Sequence, residues 1–341
     1  MNNYMKTICK LLVVALLGTG FASCNDEWTD EQYKQQISLK SNPGNLGTTD
    51  VHVRYTKDAK YTYNLPVIVS GSTDNSSDRL VSFSLRTDTL DILNFQKFGN
   101  RPELYFQQLP ERYYSFPENV NIPAGQNQTL LPIEFKLNDI DDSKKWALPI
   151  KVNEDPTGDY EVNNRKHYST AILRPILFNE FSGRYSGTQL LGVMEGEDNI
   201  KFNSTEMRAY VVTDSIVFFY AGQRTEDYED RNLYKVFFQF TGEKVDEKKE
   251  DYKIRIWVEN DKLKFQSKST PTYKVSSEMD ATKTYLKHVY VTISNIEFGF
   301  VDYTSVPNSE LKYNMKGSLS VSRDLDTRIP DEDQTTDSKW W

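Results

Sequence analysis

The segment Tyr252–Glu259 (YKIRIWVE) decides the fold class, because its side chains alternate in character along the chain. Its even-numbered residues are all apolar, whereas Lys253, Arg255 and Glu259 occupy odd-numbered positions together with Trp257. Successive side chains of a β-strand point to opposite faces, so this period of two predicts a strand with one buried face and one exposed face. Trp257 is the exception, since it is a large ring on the polar face.

The same alternation recurs along most of the chain, and no long segment has the period of a helix. Aromatic residues make up 13% of the sequence, as expected if many rings fill β cores. We therefore predict an all-β fold. The supporting segments are HVRYT, LPVIVS, LVSFSLR, LLPIEFKL and WALPIKV in the first half, and RAYVVTDSIVFFYAG, LYKVFFQFTG, YKIRIWV, HVYVTISNIEFGF and YNMKGSLSVS in the second.

Two domains are predicted, with a boundary near Arg174-Pro175. Proline has no amide hydrogen to donate to a sheet, and a glycine-punctuated pattern begins soon after it. The first half, residues 35–175, has short strands and a Pro-Ala-Gly turn within Val120–Phe135, which favours an immunoglobulin-like β-sandwich. Asp88–Phe116 interrupts the strand rhythm and predicts an insertion or connection with short helical turns.

The second half, residues 176–328, has longer strands joined by polar turns. Such strands leave hydrogen-bonding edges that must be hidden, and closure into an antiparallel up-and-down barrel hides them. The opening Gly183–Gly187 (GRYSG) is reminiscent of lipocalin-like barrels, so we predict a barrel, with a second β-sandwich as the alternative. A flexible tail, residues 329–341, is expected to follow.

The amino terminus has the features of a lipoprotein signal peptide. Lys6 and Lys10 accompany an apolar run, Leu11–Leu17, which is too short to span a bilayer core of roughly 30 Å. Small residues stand before Cys24 as in a lipobox, so residues 1–23 are predicted to be removed and Cys24 to carry the lipid. An ordinary cleaved signal with an incidental cysteine is the alternative.

The cluster Asn25, Asp26 and Glu27 follows this cysteine within a predicted acidic tether, residues 24–34. It resembles the export signal of surface lipoproteins of Bacteroidetes, which implies an outer-membrane anchor facing the cell exterior; a solvated polar tether is the alternative. Cys9 lies in the segment predicted to be removed, so no disulfide is expected in the mature chain. The formal charge of −8, which becomes −10 without the two signal lysines, argues against nucleic-acid binding.

A family resemblance covers nearly all of the mature chain. Tyr113–Gln126 (YYSFPENVNIPAGQ) and Leu130–Val152 are similar to the amino-terminal domain of two-domain surface lipoproteins of Bacteroidetes. The family's I-x-A-G turn corresponds to Ile122–Gly125, and its y-x-L-P-[IL]-x-[IV] strand to Trp146–Val152, where Trp146 replaces the usual tyrosine. FSGRYSGT and KYNMKGSLSVSRDLDTRIPDEDQ look like the companion domain. The genetic loci of this family usually serve glycan uptake. The resemblance therefore implies oligosaccharide or polysaccharide capture beside outer-membrane transporter components.

Catalytic motifs are absent from the sequence. The mature chain keeps no cysteine except the lipidation residue, and His52, His167 and His288 lack the spacing of a metal site or the elbow of a serine hydrolase. We therefore predict a protein that is not an enzyme and has no metal or cofactor. A glycosidase, which needs only two carboxylates, is a less favoured alternative. The acidic segment Asn138–Trp146 (NDIDDSKKW) is predicted to be a solvated turn.

Rings on polar strand faces supply the candidate binding residues. An aromatic ring can stack on the C–H groups of a sugar while polar neighbours bond its hydroxyls. Trp257 is the first candidate, and Phe237, Tyr290, Arg255 and Lys235 join it if their strands are neighbours. The alternative is that these rings fill the barrel or pack between the domains.

These observations together predict a non-catalytic, lipid-anchored glycan-binding protein of the cell surface. A structural or adhesive module that binds a protein partner is the alternative.

Overall fold

The computed structural model describes residues 33–330 except 56, 58, 59 and 166. Within this part of the chain the fold is almost all β, with 22 strands and one α-helix, as predicted. The predicted signal, Cys24, Asn25, Asp26, Glu27 and most of the tail lie outside the described residues.

The amino-terminal domain is a β-sandwich, which confirms the predicted fold of the first half. The first sheet consists of β1 (Gln36–Leu39), β3 (Tyr61–Ser70), β6 (Tyr114–Ser115), β8 (Gln128–Phe135) and β10 (Glu161–Val162). The second consists of β2 (Thr49–Arg54), β4 (Arg79–Leu85), β5 (Gln107–Gln108), β7 (Asn119–Ile122), β9 (Trp146–Val152) and β11 (Thr170–Phe178). The strand order is β10-β1-β3-β8-β6 in the first sheet and β2-β11-β9-β4-β7 in the second, with β5 paired to β9.

A single apolar core holds the two sheets together. Alternate residues of each strand point inwards, for example Leu65 and Val67 of β3 and Leu148 and Ile150 of β9, and all four are fully buried. This inward set is the apolar half of the alternating pattern in the sequence. Its burial is the main stabilising contribution to the domain.

The last sandwich strand continues past the predicted boundary at residue 175. Pro175 lies inside β11, opposite Val51 of β2 in a parallel pair, and the pairing extends to Phe178 and Arg54. A proline fits there because β11 has a paired strand on only one side at this position, since its pairing with β9 ends at Leu173. The barrel domain begins with its first strand at Gly183.

The predicted insertion between the sandwich strands contains helix α1 (Thr87–Phe98). Two short 3-10 turns follow at Pro102–Leu104 and Glu111–Tyr113. Asn94 fixes the helix to the following segment, because its buried amide accepts from Phe106 N (2.7 Å) and donates to Phe106 O (2.9 Å). No helix in the described part of the chain is both long and apolar enough to cross a membrane.

The carboxy-terminal domain is a closed antiparallel barrel of eight strands, which confirms the predicted barrel. Closure occurs where Ser186 pairs with Ser320, so that the first and last barrel strands become neighbours. The barrel strands are β12 (Gly183–Ser186), β15 (Glu206–Val211), β16 (Ile216–Tyr220), β17 (Lys235–Lys244), β18 (Tyr252–Trp257), β20 (Thr272–Met279), β21 (Leu286–Asp302) and β22 (Leu311–Asp326). Three added strands extend the sheet beyond the barrel: β13 (Leu190–Met194), β14 (Glu197–Asn203) and β19 (Gln266–Ser267).

The interior of the barrel is filled with side chains. Tyr185, Phe219, Phe238 and Met315 all lie in one buried cluster, and the rings of Tyr185 and Phe219 meet edge to face with centroids 5.4 Å apart. Such packing leaves the outer faces of the strands as the surfaces on which a ligand can be recognised.

Candidate functional site

Trp257 and Phe237 lie side by side on the outer face of the barrel. They are paired across β17 and β18, and their rings stack with centroids 5.4 Å apart at an interplanar angle of 14°. Phe237 is only 6% exposed, because it lies in a ring cluster that also contains Phe218, at 5.9 Å. Phe237 therefore packs against one face of the Trp257 ring, whereas Trp257 keeps part of its own surface open.

Lys235 and Arg255 flank these rings but differ in what they contact. Arg255 is exposed, and its guanidinium lies 5.8 Å from the centroid of the Trp257 ring. Lys235 reaches across to the sandwich, where Nζ donates to Ser143 Oγ (3.1 Å) and Asp141 Oδ1 (3.4 Å). Lys235 thus joins the two domains, and Trp257 with Arg255 forms a small open surface that we call the Trp257 ledge.

Tyr290 lies away from the ledge, in a depression on the outer surface of β12, β21 and β22. The depression, which we call the Tyr290 groove, has a volume of about 330 Å³. Tyr290 forms one side, held by a hydrogen bond from its hydroxyl to Glu278 Oε1 (3.0 Å). The ion pair of Arg184 with Glu206 (2.5 Å) lines the groove as well. The structure therefore separates Tyr290 from the other four predicted residues.

Short hydroxyl side chains create the floor of the Tyr290 groove. Ser320 is paired with Thr292 on one side and with Ser186 on the other, and Ser322 is paired with Tyr290. In the described part of the chain, no hydrogen bond occupies the hydroxyls of Thr292, Ser320 and Ser322. The groove thus offers an aromatic wall and several free hydroxyls, which is the combination that suits a polyol.

The sequence prediction missed the serines of this groove. Their signal was the alternation Ser318, Ser320, Ser322 in β22, where every second side chain is small and polar. The alternation puts Ser320 and Ser322 on the same face of the strand, but a row of small residues becomes a groove only when longer side chains flank it. Those flanking residues, Arg184 and Tyr290, come from other strands.

His288 lies near Tyr290, between two carboxylates. Its Nδ1 is 2.6 Å from Asp324 Oδ1, and its Nε2 is 3.1 Å from Asp280 Oδ2. A neutral imidazole has only one N–H, so both contacts are favourable only when the ring is protonated. Hydrogen bonding to Asp324 and then to Asp280 raises the pKa of His288 above its ordinary value.

We expect His288 to titrate above pH 6.5, its ordinary value, and its stabilising contact to be lost as the pH rises through the raised pKa. His52 provides the contrast, because burial and then Arg208 and Arg174 lower its pKa to about 4. Imidazole NMR titration measures both values. Asp324→Asn should lower the pKa of His288 and leave that of His52 unchanged; a His288 pKa at or below 6.5 would contradict the geometry.

A charged network joins the two domains next to the Tyr290 groove. Glu226 Oε1 accepts from Arg208 Nη1 (2.5 Å) and from Tyr210 Oη (3.1 Å), and Arg174 of the sandwich lies 3.9 Å away. Burial alone would raise the pKa of the Glu226 carboxyl, but Arg208 and Arg174 outweigh it and lower the pKa to about 2. Glu226 is therefore ionised in the folded protein at any ordinary pH.

Asp142 shows that the acidic segment 138–146 is not simply a solvated turn, which corrects the sequence prediction. Asp142 Oδ2 accepts from the backbone N–H of Val211 in β15 (3.3 Å), across the domain junction. Burial raises the pKa of its carboxyl to about 7, although Arg208 opposes the shift. The segment looked solvated because the groups that cover it belong to the other domain.

Metal ligation has no preformed centre within the described ranges, since no three or more histidine, cysteine or acidic side chains come together there. The surfaces described above present ion pairs, hydroxyls and rings instead. They can bind by stacking and hydrogen bonding without a bound ion.

The fold defines a class of protein in which a β-sandwich precedes a packed barrel, and comparison with known proteins identifies the family. Residues 28–156 match a domain of unknown function, DUF4973, and residues 169–320 match a family described as a C-terminal domain. No curated protein matches the chain.

Solved structures with the same two-domain arrangement come from Bacteroides. A protein of unknown function from Bacteroides ovatus is 72% identical, with a TM-score of 0.85 and coverage of 93% of this chain and 100% of that one. A multidomain protein including DUF1735, also from Bacteroides ovatus, is 36% identical, with a TM-score of 0.76 and coverage of 88% and 99%. An auxiliary nutrient binding protein from Bacteroides thetaiotaomicron is 33% identical, with a TM-score of 0.73 and coverage of 85% and 96%.

The chain belongs to this family of two-domain Bacteroides proteins, as the sequence resemblance indicated. One of its relatives is a nutrient binding protein, and none of the three is described as an enzyme.

Proposed function

We propose that this protein is a non-catalytic glycan-binding lipoprotein of the cell surface, which captures oligosaccharide or polysaccharide for an outer-membrane uptake system. The Tyr290 groove is the observation that carries the proposal, because it sets an aromatic wall beside free hydroxyls in a depression of about 330 Å³. The nutrient binding relative supports the same role.

Capture would use the two surface types for different contacts. The Tyr290 ring stacks on the C–H face of a sugar, and Thr292, Ser320 and Ser322 exchange hydrogen bonds with its hydroxyls. The Trp257 ledge offers a second ring with Arg255 beside it. Weak binding at each surface suffices, since a tether that holds several binding modules near a transporter raises their effective concentration.

The anchor is part of this proposal. Lipidation at Cys24 would hold the chain in the outer membrane, and Asn25, Asp26 and Glu27 would direct it to the exterior. Metabolic labelling with a fatty-acid analogue tests the anchor, because Cys24→Ala should abolish the label, and protease treatment of intact cells tests the exposed orientation.

Glycan binding is tested with the chain from Asn25 to Trp341 on a panel of plant, fungal and host glycans. We expect saturable binding to one class and a loss of affinity of roughly tenfold, about 1.4 kcal/mol, for Tyr290→Ala, because the stacking surface is removed. Trp257→Ala reports on the ledge in the same assay. The matched control is Tyr168→Ala, which removes an exposed tyrosine of the sandwich.

Three outcomes would contradict parts of the proposal. Binding that survives Tyr290→Ala but not Trp257→Ala moves the site to the ledge. Release of shorter sugars from the bound glycan would make the protein a glycosidase. The absence of binding to every class would remove the proposed function.

Docking of a protein partner is a second candidate function, favoured by helix α1. Ile92 and Phe95 lie one turn apart on this helix and are 54% and 62% exposed. Exposed apolar side chains that join into one patch mark candidate protein interaction surfaces. Ile92→Ser with Phe95→Ser should weaken association with an outer-membrane transporter component while leaving glycan binding intact.

A further inference from the structure

A second depression, the junction cavity, adjoins the Tyr290 groove. It has a volume of about 260 Å³ and lies on the barrel side of the domain junction. Arg184 and Glu206 line both depressions, so their ion pair stands between the groove and the cavity. Tyr210, Tyr220, Arg208 and Glu226 line the far side.

Tyr220 gives the junction cavity an unused hydrogen-bonding group. This residue lines the cavity and is only 3% exposed, and its hydroxyl has no hydrogen-bond partner within the described residues. Its ring is fixed beside that of Tyr210, with centroids 5.1 Å apart. Burying a hydroxyl without a partner is unfavourable. The oxygen itself is covered within the cavity wall, so a sugar hydroxyl that displaces the covering side chains would supply the partner that it lacks.

The charged residues around the cavity are already paired within the protein. Arg184 bonds Glu206, and Arg208 bonds Glu226. Arg224 is held by Asp302 and Asp230, each at 3.0 Å. A charged ligand would have to compete with one of these pairs, whereas a neutral polyol can bond the Tyr220 hydroxyl and leave all of them intact.

We propose that the Tyr290 groove and the junction cavity form one extended site for a neutral oligosaccharide. One sugar unit stacks on Tyr290, the chain passes the Arg184–Glu206 pair, and a later unit donates or accepts a hydrogen bond at Tyr220 Oη. This inference rests on the proposed glycan-binding function and adds to it the length and the charge of the ligand.

Size-graded neutral ladders test the extended site. The probes are malto-, cello-, manno- and xylo-oligosaccharides of one to six units, titrated calorimetrically into the chain from Asn25 to Trp341. We expect the affinity to rise at least about tenfold from the disaccharide to the longer members of one ladder. Uronate-containing oligosaccharides should bind roughly tenfold more weakly, and sodium chloride should not weaken neutral binding.

Tyr220→Phe separates this inference from the proposed function. The variant should lower the affinity for the longer sugars by about fivefold to tenfold and leave disaccharide binding unchanged, with a melting temperature at or above that of the parent protein. Tyr113→Phe is the control, because it removes a buried hydroxyl that bonds Arg112 and the carbonyl of Asp139 in the sandwich. It should lower the melting temperature and leave binding unchanged.

Each result of this experiment has a distinct meaning. Affinity that is independent of length, or a Tyr220→Phe effect that is equal for short and long sugars, would overturn the extended site while preserving glycan capture. Failure of all four ladders and of the wider panel would overturn both.

Discussion

Replacing Gly317 by alanine is expected to lower the free energy of unfolding of the barrel by about 3 kcal/mol or more. Gly317 has a φ of +145°, and a Cβ at this position would overlap the carbonyl oxygen of Gln189 and lie 3.0 Å from Leu190 Cα. These are backbone atoms, so a side-chain rotation cannot relieve the overlap. Gly317 pairs with Leu190 of β13 and with Ile296 of β21, next to the bulge between Ile293 and Ile296.

Gly299→Ala is the matched control for this substitution. Gly299 lies in β21, opposite Asn314, and a Cβ there would make only ordinary contacts, the nearest at 3.6 Å to the side chain of Lys268. Its effect should stay within about 1 kcal/mol. Urea unfolding followed by tryptophan fluorescence measures both variants; equal midpoints would show that the close approach at Gly317 does not constrain the barrel.

Closure of the barrel was only partly predictable from the sequence. Alternation in segments such as Tyr252–Glu259 identifies strands, because burial of one face imposes a period of two on each strand separately. Which strands become neighbours depends on contacts between distant segments, such as the pair of Ser186 with Ser320. The general need to hide strand edges therefore predicts a barrel but does not exclude a second sandwich. The pairing of the first barrel strand with the last one distinguishes the two folds.

The candidate site was likewise predictable only within single strands, and not in the contacts between strands or domains. Alternation grouped Trp257, Phe237 and Tyr290 with the polar faces of their strands, since facing is a property of each strand, but it did not decide whether those faces point outwards or into the barrel. It did not reveal that neighbouring rings bury Phe237. Nor did it reveal the pairing of Arg208 with Glu226, because a charged residue that is buried only by the other domain looks like a solvated one in sequence.

The domain junction should respond to pH through Asp142, and Asp142→Asn should remove that response. The folded state raises the pKa of the Asp142 carboxyl from 3.8 to about 7, because burial disfavours its charge. The folded protein thus prefers the protonated form of Asp142. The contribution of this carboxyl to the free energy of unfolding is complete below pH 3.8 and is lost as the pH rises through about 7. Asparagine keeps an oxygen that can accept from Val211 N–H and never becomes charged.

Asp142→Asn is therefore expected to match the parent protein at pH 4 and to be more stable at pH 8 by about 2 kcal/mol. Urea unfolding at pH 4, 6 and 8 measures the difference. Asp139→Asn is the control, because it removes an exposed carboxylate from the same segment and should shift all three values equally. A stability profile that is unchanged by Asp142→Asn would mean that the charged carboxylate is well solvated at the junction.

Glu226 determines how the stability of the domain junction changes on the acid side. Its pKa falls from 4.5 to about 2 in the folded protein, so its stabilising contribution is present above pH 4.5 and is lost as the pH falls through about 2. Because the Asp142 contribution declines from pH 3.8 to about 7, the junction should be most stable between about pH 3.8 and 4.5. Asp142→Asn should extend this range upwards and leave its acid limit in place, since that limit belongs to Glu226.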